Sequence, residues 1–313
     1  MTERIAVVIP CYNEVLTVAK VIEDFRAQLP QARILVFDNN STDGTGERAG
    51  QHGAEVVRVL RQGKGAAVAR MLEVVDADIF IMVDGDDTYP AECIHELLAP
   101  VQQGQADMVV ASRLQEFTNT AFRPLHVMGN RLVRKLINSI FGSRLTDILS
   151  GYRIFTGELA RNVPITSVGF EVETELTLQT LYSGYTILEM PVPYRQRPEG
   201  SFSKLSTFRD GFRVLLTIFN IFRSFKPMTF FGLIALFMAL LSVLASLPAV
   251  WQYMETRKVA SWPLLMVGVG CAVISFTSLT VGMLLHAFNV RIKEMTMLMR
   301  KISPRTADRG IGQ

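Results

Sequence analysis

The first 112 residues alternate short apolar runs with segments of helical periodicity. The apolar runs predict strands and the periodic segments predict amphipathic helices, because a helix buries one side chain in every three or four. Strands separated by helices of about 10–15 residues indicate an α/β fold with a doubly wound, mostly parallel sheet. The predicted strands are Ile5–Pro10, Arg33–Asp38, Glu55–Val59, Ile79–Asp84 and Asp107–Ser112, and the predicted helices are Glu14–Gln28, Asp43–His52, Gly65–Val75 and Ala91–Gln102.

Two long uncharged stretches follow near the carboxyl end, Met228–Val250 with 23 residues and Pro263–Phe288 with 26. A bilayer core takes roughly 20 helical residues, so each stretch is long enough to span it. Trp251 and Trp262 stand near the ends of the connector, where an aromatic belt is expected. Two transmembrane helices are therefore predicted; the alternative is a pair of helices buried in a soluble core.

Charge is distributed unevenly along the chain. Residues 1–194 hold 17 Lys and Arg against 24 Asp and Glu, whereas residues 195–226 hold seven basic and two acidic residues. Residues 227–313 hold eight basic and three acidic residues, and most of the basic ones follow the second uncharged stretch. The positive-inside rule then predicts an inner (plasma) membrane protein with its large domain and both termini in the cytoplasm. The acidic large domain argues against nucleic-acid binding.

These patterns predict four regions: a domain over 1–204, an interfacial region over 205–227, two transmembrane helices over 228–290 and a basic cytoplasmic tail over 291–313. The interfacial region is expected because Phe and Arg alternate amphipathically from Leu205 to Lys226, although such a helix also suits a core-covering role. Three cysteines and four histidines are widely scattered, which excludes a disulfide framework and disfavours a zinc hydrolase.

Polar residues follow three of the predicted strands, in the segments 10–14, 38–43 and 84–87. Ligands of α/β sheets bind beyond the carboxyl ends of the strands, so one shared site is predicted there. Asp84 and Asp86 are candidate ligands for Mg²⁺ or Mn²⁺, which prefer oxygen donors and complete their shells with substrate phosphates. Helix caps and an ordinary turn are the structural alternatives.

No phosphate-loop motif competes with this interpretation. Gly63-Lys64-Gly65 lacks the Ser or Thr and the preceding glycine of a Walker sequence, and no GxGxxG follows a strand. Lys64 is therefore expected either to reach a phosphate or to be a solvated loop lysine.

Seven strings carry a resemblance that covers nearly the whole chain: VVIPCYNE, FDNNSTDGT, MVDGDDTYP, ASR, SGYR, GFEVETEL and RPEGSFSKL followed by FRDG. Together they resemble family 2 glycosyltransferases with the GT-A fold, and among these the polyprenyl-phosphate glycosyltransferases of the dolichol-phosphate mannose synthase type. The DxD alone is weak evidence, but the ordered set is specific.

The resemblance implies roles for individual residues. One group of residues would bind the nucleotide-sugar, and Asp86 in this group would be the main metal ligand. Thr88 stands where mannose synthases have a Gln that serves as a further ligand. A second group would act in catalysis, and a third would neutralise the acceptor phosphate. The nucleotide-sugar group is Pro10, Tyr12, Glu14, Asp38, Asn40, Lys64, Asp84, Gly85, Asp86, Arg197 and Lys204; the catalytic group is Asp86, Arg113, Asp147, Glu171 and Glu173; the acceptor group is Arg113, Arg123, Arg131 and Lys204.

The implied reaction is inverting transfer of a sugar from a nucleotide diphosphate-sugar, with UDP-hexose or UDP-HexNAc preferred, to undecaprenyl or dolichyl phosphate. The acceptor phosphate is ionised at neutral pH, with a second pKa of about 6, so no general base is required. Homo-oligomers such as tetramers are a further implication. Alternatives are transfer to a glycan or lipid hydroxyl and a non-catalytic nucleotide-binding membrane scaffold. The absence of QxxRW argues against a processive polysaccharide synthase.

Overall fold

The computed structural model describes residues 3–113, 134–135, 137–139, 141–169, 171–195, 219–220, 222–258 and 261–302. The chain divides into two compact units, Met1–Leu215 and Leu216–Gln313. Most of the predicted interfacial stretch Leu205–Lys226 lies outside the described residues.

A seven-stranded mixed sheet forms the centre of the first unit, in the order β3-β2-β1-β4-β6-β5-β7 among the described residues. Strand β6 is antiparallel to both of its neighbours, and every other pairing is parallel. The strands are β1 Ile5–Cys11, β2 Arg33–Asp38, β3 Glu55–Arg58, β4 Ile79–Met82, β5 Met108–Ser112, β6 Arg153–Thr156 and β7 Ile187–Pro191.

Helices cover both faces of this sheet because both faces of its central strands are apolar. Side chains such as Phe25 and Leu97 pack into the core on one face, whereas Met71 and Leu176 pack into the core on the other. The prediction of a doubly wound, mostly parallel α/β fold is confirmed. The helices are α1 Val18–Gln28, α2 Thr45–Gln51, α3 Lys64–Val74, α4 Ile94–Gln102 (after a 3₁₀ turn at Ala91–Cys93), α5 Gly157–Asn162 and α6 Val172–Tyr182.

The first helix and the fourth strand differ from their predicted bounds. Helix α1 begins at Val18 rather than Glu14, because the preceding turn is held by other loops: the Glu14 amide donates to Thr45 Oγ1 at 2.8 Å. Strand β4 ends at Met82 rather than Asp84, since Met82 is the last β4 residue paired with β6.

Strand β6 was not predicted, and it determines what lies beside the end of β4. Its first residue, Arg153, pairs with Met82, so the preceding loop runs alongside Asp84. A Cβ on Gly151 would collide with the Asp84 carboxylate, and therefore only glycine fits there. Arg153 is fully buried and its guanidinium donates to the Ser150 carbonyl at 2.9 Å, which holds this loop in place.

The second unit contains two long apolar helices, α7 Pro227–Thr256 and α8 Trp262–Ile302. They pack antiparallel and closely: Ser275 Oγ donates to the Ala235 carbonyl at 2.7 Å, and a Cβ on Gly268 would collide with Ser246. Both helices are long and apolar enough to cross a membrane. Each continues past its predicted uncharged stretch, because a helical backbone extends through polar residues as readily as through apolar ones.

The start of α3 packs directly on the loop before α6. The Gly65 amide donates to the Val168 carbonyl at 2.9 Å, and a Cβ at Gly65 would collide with the Ser167 carbonyl. This contact leaves no room for a side chain.

Gly65→Ala is expected to destabilise the first unit by about 1–3 kcal/mol, the usual cost of overpacking. Gly50→Ala is the control, since its Cβ would meet only Val56 Cγ2 at 3.9 Å in helix α2. The measurement is urea unfolding of the detergent-purified chain, followed by the near-UV signal of tyrosine, because six of the seven tyrosines lie in the first unit. Equal unfolding midpoints for the two variants would contradict the close packing at Gly65.

Candidate active site

Hydrogen bonds between the turns that follow β1 and β2 form one end of the site. The Asn13 amide donates to Ser41 Oγ at 3.0 Å, and Asn13 Oδ1 accepts from the Thr42 amide at 2.9 Å. Asn13 and Asn40 have φ of 52° and 64°, a left-handed conformation that asparagine tolerates well. Asn13 therefore joins two loops rather than capping a helix.

Asp38 ends β2 and Asn39 follows it, and both side chains hold neighbouring turns. Asp38 is buried and its Oδ1 accepts from the Ser41 amide at 3.0 Å. Asn39 Oδ1 accepts from the Gly63 amide at 2.6 Å, while its Nδ2 donates to the Arg61 carbonyl at 2.7 Å. Asn39 thus positions the first residue of α3, which is Lys64.

Lys64 forms the centre of the site because it contacts two carboxylates. Its Nζ lies 2.5 Å from Asp84 Oδ1 and 2.5 Å from Glu173 Oε1. The Glu173 side chain is 5% exposed, whereas that of Asp84 is 24% exposed, so Asp84 is the more open of the two partners. The possibility that Lys64 is a solvated loop lysine is therefore wrong.

Burial and charge act in opposite directions on the Lys64 ammonium. Burial favours the neutral amine, but the negative charges of Asp84 and Glu173 outweigh burial and raise the pKa of Lys64 well above its ordinary value. Lys64 is therefore a permanent cation at neutral pH.

Gly85, Asp86 and Asp87 continue the turn that Asp84 begins. A Cβ on Gly85 would meet Cys11 Sγ, so this position has room for glycine alone. Asp86 is 3% exposed and accepts a 2.6 Å hydrogen bond from Thr88 Oγ1. Asp87 has a φ of 56° and pairs with Lys20 at 2.8 Å.

The donor set of this turn fits a divalent cation bound together with a diphosphate. Asp84 and Asp86 offer only carboxylate oxygens, which suit Mg²⁺ or Mn²⁺. Within the described residues, no group of three or more His, Cys, Asp or Glu is arranged to hold a metal ion by itself.

A second charged group lies after β5, where Arg113 forms a bidentate ion pair with Asp147. Arg113 Nε lies 2.8 Å from Asp147 Oδ2, and Nη2 donates to Oδ1 at 3.1 Å. The Arg113 guanidinium stacks on the ring of Tyr194, 5.4 Å from its centroid, a cation–π contact. Asp147 therefore orients Arg113.

Tyr89 contacts one neighbour of each charged group. Its hydroxyl accepts from the Gly151 amide at 3.2 Å, and Gly151 lies against the Asp84 carboxylate. The Tyr89 ring also packs edge-on against Tyr194, with 5.3 Å between centroids. Burial raises the pKa of Tyr89, so its hydroxyl stays protonated. A chain of contacts through Gly151, Tyr89 and Tyr194 therefore links the surroundings of Asp84 to those of Arg113.

Several supporting residues were not predicted from the sequence. Glu189 on β7 holds the Asp147 loop, since its Oε1 accepts from the Asp147 amide at 2.9 Å. Glu175 in α6 accepts from the Ser167 amide at 2.8 Å and so fixes the loop beneath α3. No local motif marks either carboxylate, because their partners are distant in sequence.

The predicted site residues divide into those that the structure brings together and those it leaves outside the described chain. Glu171 precedes α6 and accepts from the Gly169 amide at 3.1 Å, whereas Glu173 reaches Lys64. Pro10, Tyr12 and Glu14 follow or end β1, and Tyr12 is 37% exposed. Their roles toward a nucleotide stay predictions. Arg123, Arg131, Arg197 and Lys204 lie outside the described residues.

Comparison with known proteins assigns this site to a class. The model of the glycosyl transferase family 2 domain matches residues 6–163. The glycosyltransferase AglJ of Haloferax volcanii is 36% identical over 231 residues, covering 74% of this chain and 76% of that protein. A dolichyl-phosphate hexose transferase of the same organism is 31% identical, covering 67% of this chain and 90% of that protein.

A solved structure matches the fold as well. Glucosyl-3-phosphoglycerate synthase from Mycobacterium tuberculosis, in complex with Mn²⁺, UDP-glucose and phosphoglyceric acid, aligns with a TM-score of 0.56 and 26% identity, covering 69% of this chain and 79% of that one. The fold is that of a GT-A glycosyltransferase. The chain belongs to glycosyl transferase family 2, and the resemblance inferred from its motifs is confirmed.

The contact between Arg113 and Asp147 makes stability depend on pH. Burial raises the pKa of Asp147, but the hydrogen bond from Arg113 outweighs it and holds the pKa below its usual value. A carboxyl with a depressed folded pKa contributes stability above its unfolded pKa of about 3.9, and the contribution is lost as the pH falls through the folded pKa.

Asp147→Asn is expected to cost about 3 kcal/mol at pH 7, because it leaves a largely buried guanidinium without its carboxylate. The difference in unfolding free energy between parent and variant should shrink as the pH falls below about 4. Urea unfolding of both proteins from pH 7 to pH 3 measures this difference. Asp107→Asn is the control, because Asp107 is a half-buried carboxylate that accepts from the Thr186 amide and has no arginine partner among the contacts described. A constant difference across that range would contradict the role given to Asp147.

Proposed function

We propose that this chain transfers a sugar from a nucleotide diphosphate-sugar to polyprenyl phosphate, with inversion at the transferred carbon. The observation that carries the proposal is that two cations, Lys64 and Arg113, are each held by their own carboxylate near the sheet edge that bears Asp84 and Asp86. Transfer between two phosphate-bearing molecules requires such charge neutralisation on both sides of the sugar. The dolichyl-phosphate hexose transferase relative supports a polyprenyl phosphate acceptor.

On the donor side, Asp84 and Asp86 would hold Mg²⁺ or Mn²⁺ against the diphosphate of the nucleotide-sugar. The metal would neutralise the charge that develops on the leaving diphosphate. The Mn²⁺ and UDP-glucose bound by the mycobacterial synthase support a UDP-sugar as donor. Pro10, Tyr12 and Asp38 at the ends of β1 and β2 are proposed to line the base and ribose.

On the acceptor side, Arg113 is proposed to receive the phosphate of the lipid. Asp147 accepts hydrogen bonds from Nε and Nη2 of Arg113 and thereby fixes the plane of the guanidinium, while the Tyr194 ring covers one of its faces. A preorganised guanidinium loses little freedom when it binds an oxyanion. One phosphate oxygen then forms a bond to the sugar carbon as the bond to the diphosphate breaks, and no proton has to be removed.

The membrane arrangement is part of the same proposal. Helices α7 and α8 would anchor the chain in the bilayer that holds the polyprenyl tail, with the first unit and both termini in the cytoplasm. The four regions 1–204, 205–227, 228–290 and 291–313 are proposed on the same grounds.

Asp86→Asn is expected to reduce sugar transfer by about 100-fold or more, the order seen when one charge-stabilising group is removed from an active site. The shape is preserved and Thr88 can still bind the amide oxygen, so folding should be retained. Asp87→Asn is the matched control, since Asp87 pairs with Lys20 and asparagine tolerates its positive φ. Transfer rates and urea midpoints of both variants test this; a fully active Asp86→Asn protein would refute the metal-diphosphate role.

The reaction itself is tested with a panel of radiolabelled UDP- and GDP-sugars, Mg²⁺ or Mn²⁺, and undecaprenyl or dolichyl phosphate. Label should pass into the organic phase with one donor, the released nucleotide should be a diphosphate, and chelation should stop transfer. Release of a nucleoside monophosphate would indicate transfer of a sugar phosphate and overturn the proposal. Label found only on added glycans or lipid alcohols would establish a hydroxyl acceptor instead.

A further inference from the structure

We propose that Lys64 is an internal counter-cation that occupies Asp84 until a diphosphate arrives, so that a divalent cation and the diphosphate bind cooperatively, with Glu173 as the residue that holds Lys64. This inference rests on the proposed function, because it concerns how the same site is loaded.

The first support is the charge balance of the three side chains. Lys64 contacts Asp84 and Glu173 at 2.5 Å each, and its own side chain is only 14% exposed. One ammonium therefore neutralises one of two carboxylates in a poorly solvated place. A charge left without a partner in such surroundings is strongly unfavourable, so the pairs change only when a replacement charge is present.

The second support is the unequal exposure of the two carboxylates. Glu173 is almost fully buried in the first turn of α6, where the helix dipole also favours a negative charge. Asp84 is the more exposed partner and follows β4 at the open edge of the sheet. Of the two contacts of Lys64, the contact to Asp84 is the one that a ligand reaches.

The third support is that the backbone of Lys64 is fixed. Gly63 and Gly65 on either side pack so closely on Val168 and Ser167 that neither position has room for a Cβ. Asn39 holds the Gly63 amide from the other direction, at 2.6 Å. Any exchange of partners by Lys64 is therefore a movement of its side chain alone, with Glu173 as the fixed end.

These features predict how binding is coupled. A divalent cation that arrives alone competes with the Lys64 ammonium for Asp84 and is repelled by it. A diphosphate gives the ammonium a new anionic partner and so releases Asp84. Each ligand should then raise the affinity for the other by the same factor, because such coupling is reciprocal.

The test is Mn²⁺ binding to the full-length, detergent-purified chain, measured by the electron paramagnetic resonance signal of free Mn²⁺, alone and with saturating UDP or GDP. In the parent, the nucleotide should tighten Mn²⁺ binding by about tenfold or more, within the usual range of coupling between sites. In Lys64→Met, Mn²⁺ alone should bind about tenfold more tightly, and the coupling should fall several-fold, leaving the part that comes from phosphate oxygens bound directly to the metal.

Glu173→Gln should act in the opposite direction. Lys64 then pairs with Asp84 alone, so Mn²⁺ without nucleotide should bind several-fold more weakly than to the parent. A purely structural loss would weaken binding in both variants alike. Lys20→Met, which removes an exposed lysine that pairs with Asp24 and Asp87, is the control and should match the parent.

The double variant Lys64→Met/Glu173→Gln covers a failure of either single variant to fold, because it removes the two most buried charges and leaves only Asp84, the more exposed carboxylate. It should behave like Lys64→Met. Unchanged coupling without Lys64, or equal weakening in Lys64→Met and Glu173→Gln, would overturn the counter-cation role. Failure of the parent to bind Mn²⁺ with either nucleotide would instead refute the metal site of the proposed function.

Discussion

The bridge from Lys64 to Asp84 and Glu173 connects three parts of the first unit that are far apart in sequence: the start of α3, the turn after β4 and the first turn of α6. An ammonium shared by two carboxylates at low exposure tolerates little displacement, since a lost partner leaves a charge without compensation. The supporting contacts all reduce such displacement. Asn39 and the glycines around Lys64 fix the lysine backbone, Gly151 lets the β6 loop lie against Asp84, and Glu175 holds the loop beneath α3.

The antiparallel strand β6 explains how a second cation comes to the same edge. In an all-parallel sheet, loops at the carboxyl edge come only from strand ends, but β6 starts at this edge and brings the loop before it alongside Asp84. That loop carries Asp147, which orients Arg113 at the end of β5, and Tyr89 and Tyr194 fill the space between. The proposed reaction between two anionic molecules needs such an arrangement, because each phosphate requires its own positive charge. Each cation must also keep its own carboxylate partner, so that neither cation neutralises the partner of the other.

The sequence predicted correctly those features that depend on a single strand, helix or turn. The nine elements predicted before residue 113 are present, and the ends of β1, β2 and β4 lie at one edge of the sheet as expected from parallel topology. The bounds that moved did so for tertiary reasons: the turn before α1 is held by Thr45, and β4 stops where its pairing with β6 ends. Strands β6 and β7 were missed because neither has a clear periodic signal: β6 has four residues buried between β4 and β5, and β7 is a five-residue, partly exposed edge strand.

What the sequence determined by itself is the class of fold, the sheet edge where the polar residues gather and the two long apolar helices, since each depends on local periodicity or on continuous runs of residue type. The tertiary structure alone decided which charges meet. A lysine in a glycine-flanked turn has the same local pattern whether it is solvated or buried, and only the approach of α6 makes Lys64 a partner of Glu173. In the same way, Glu189 and Arg153 lie in strands that pair across long sequence separations, and this pairing sets their contacts. The strength of an electrostatic contact depends on distance in space and on the exclusion of water, neither of which the local sequence shows.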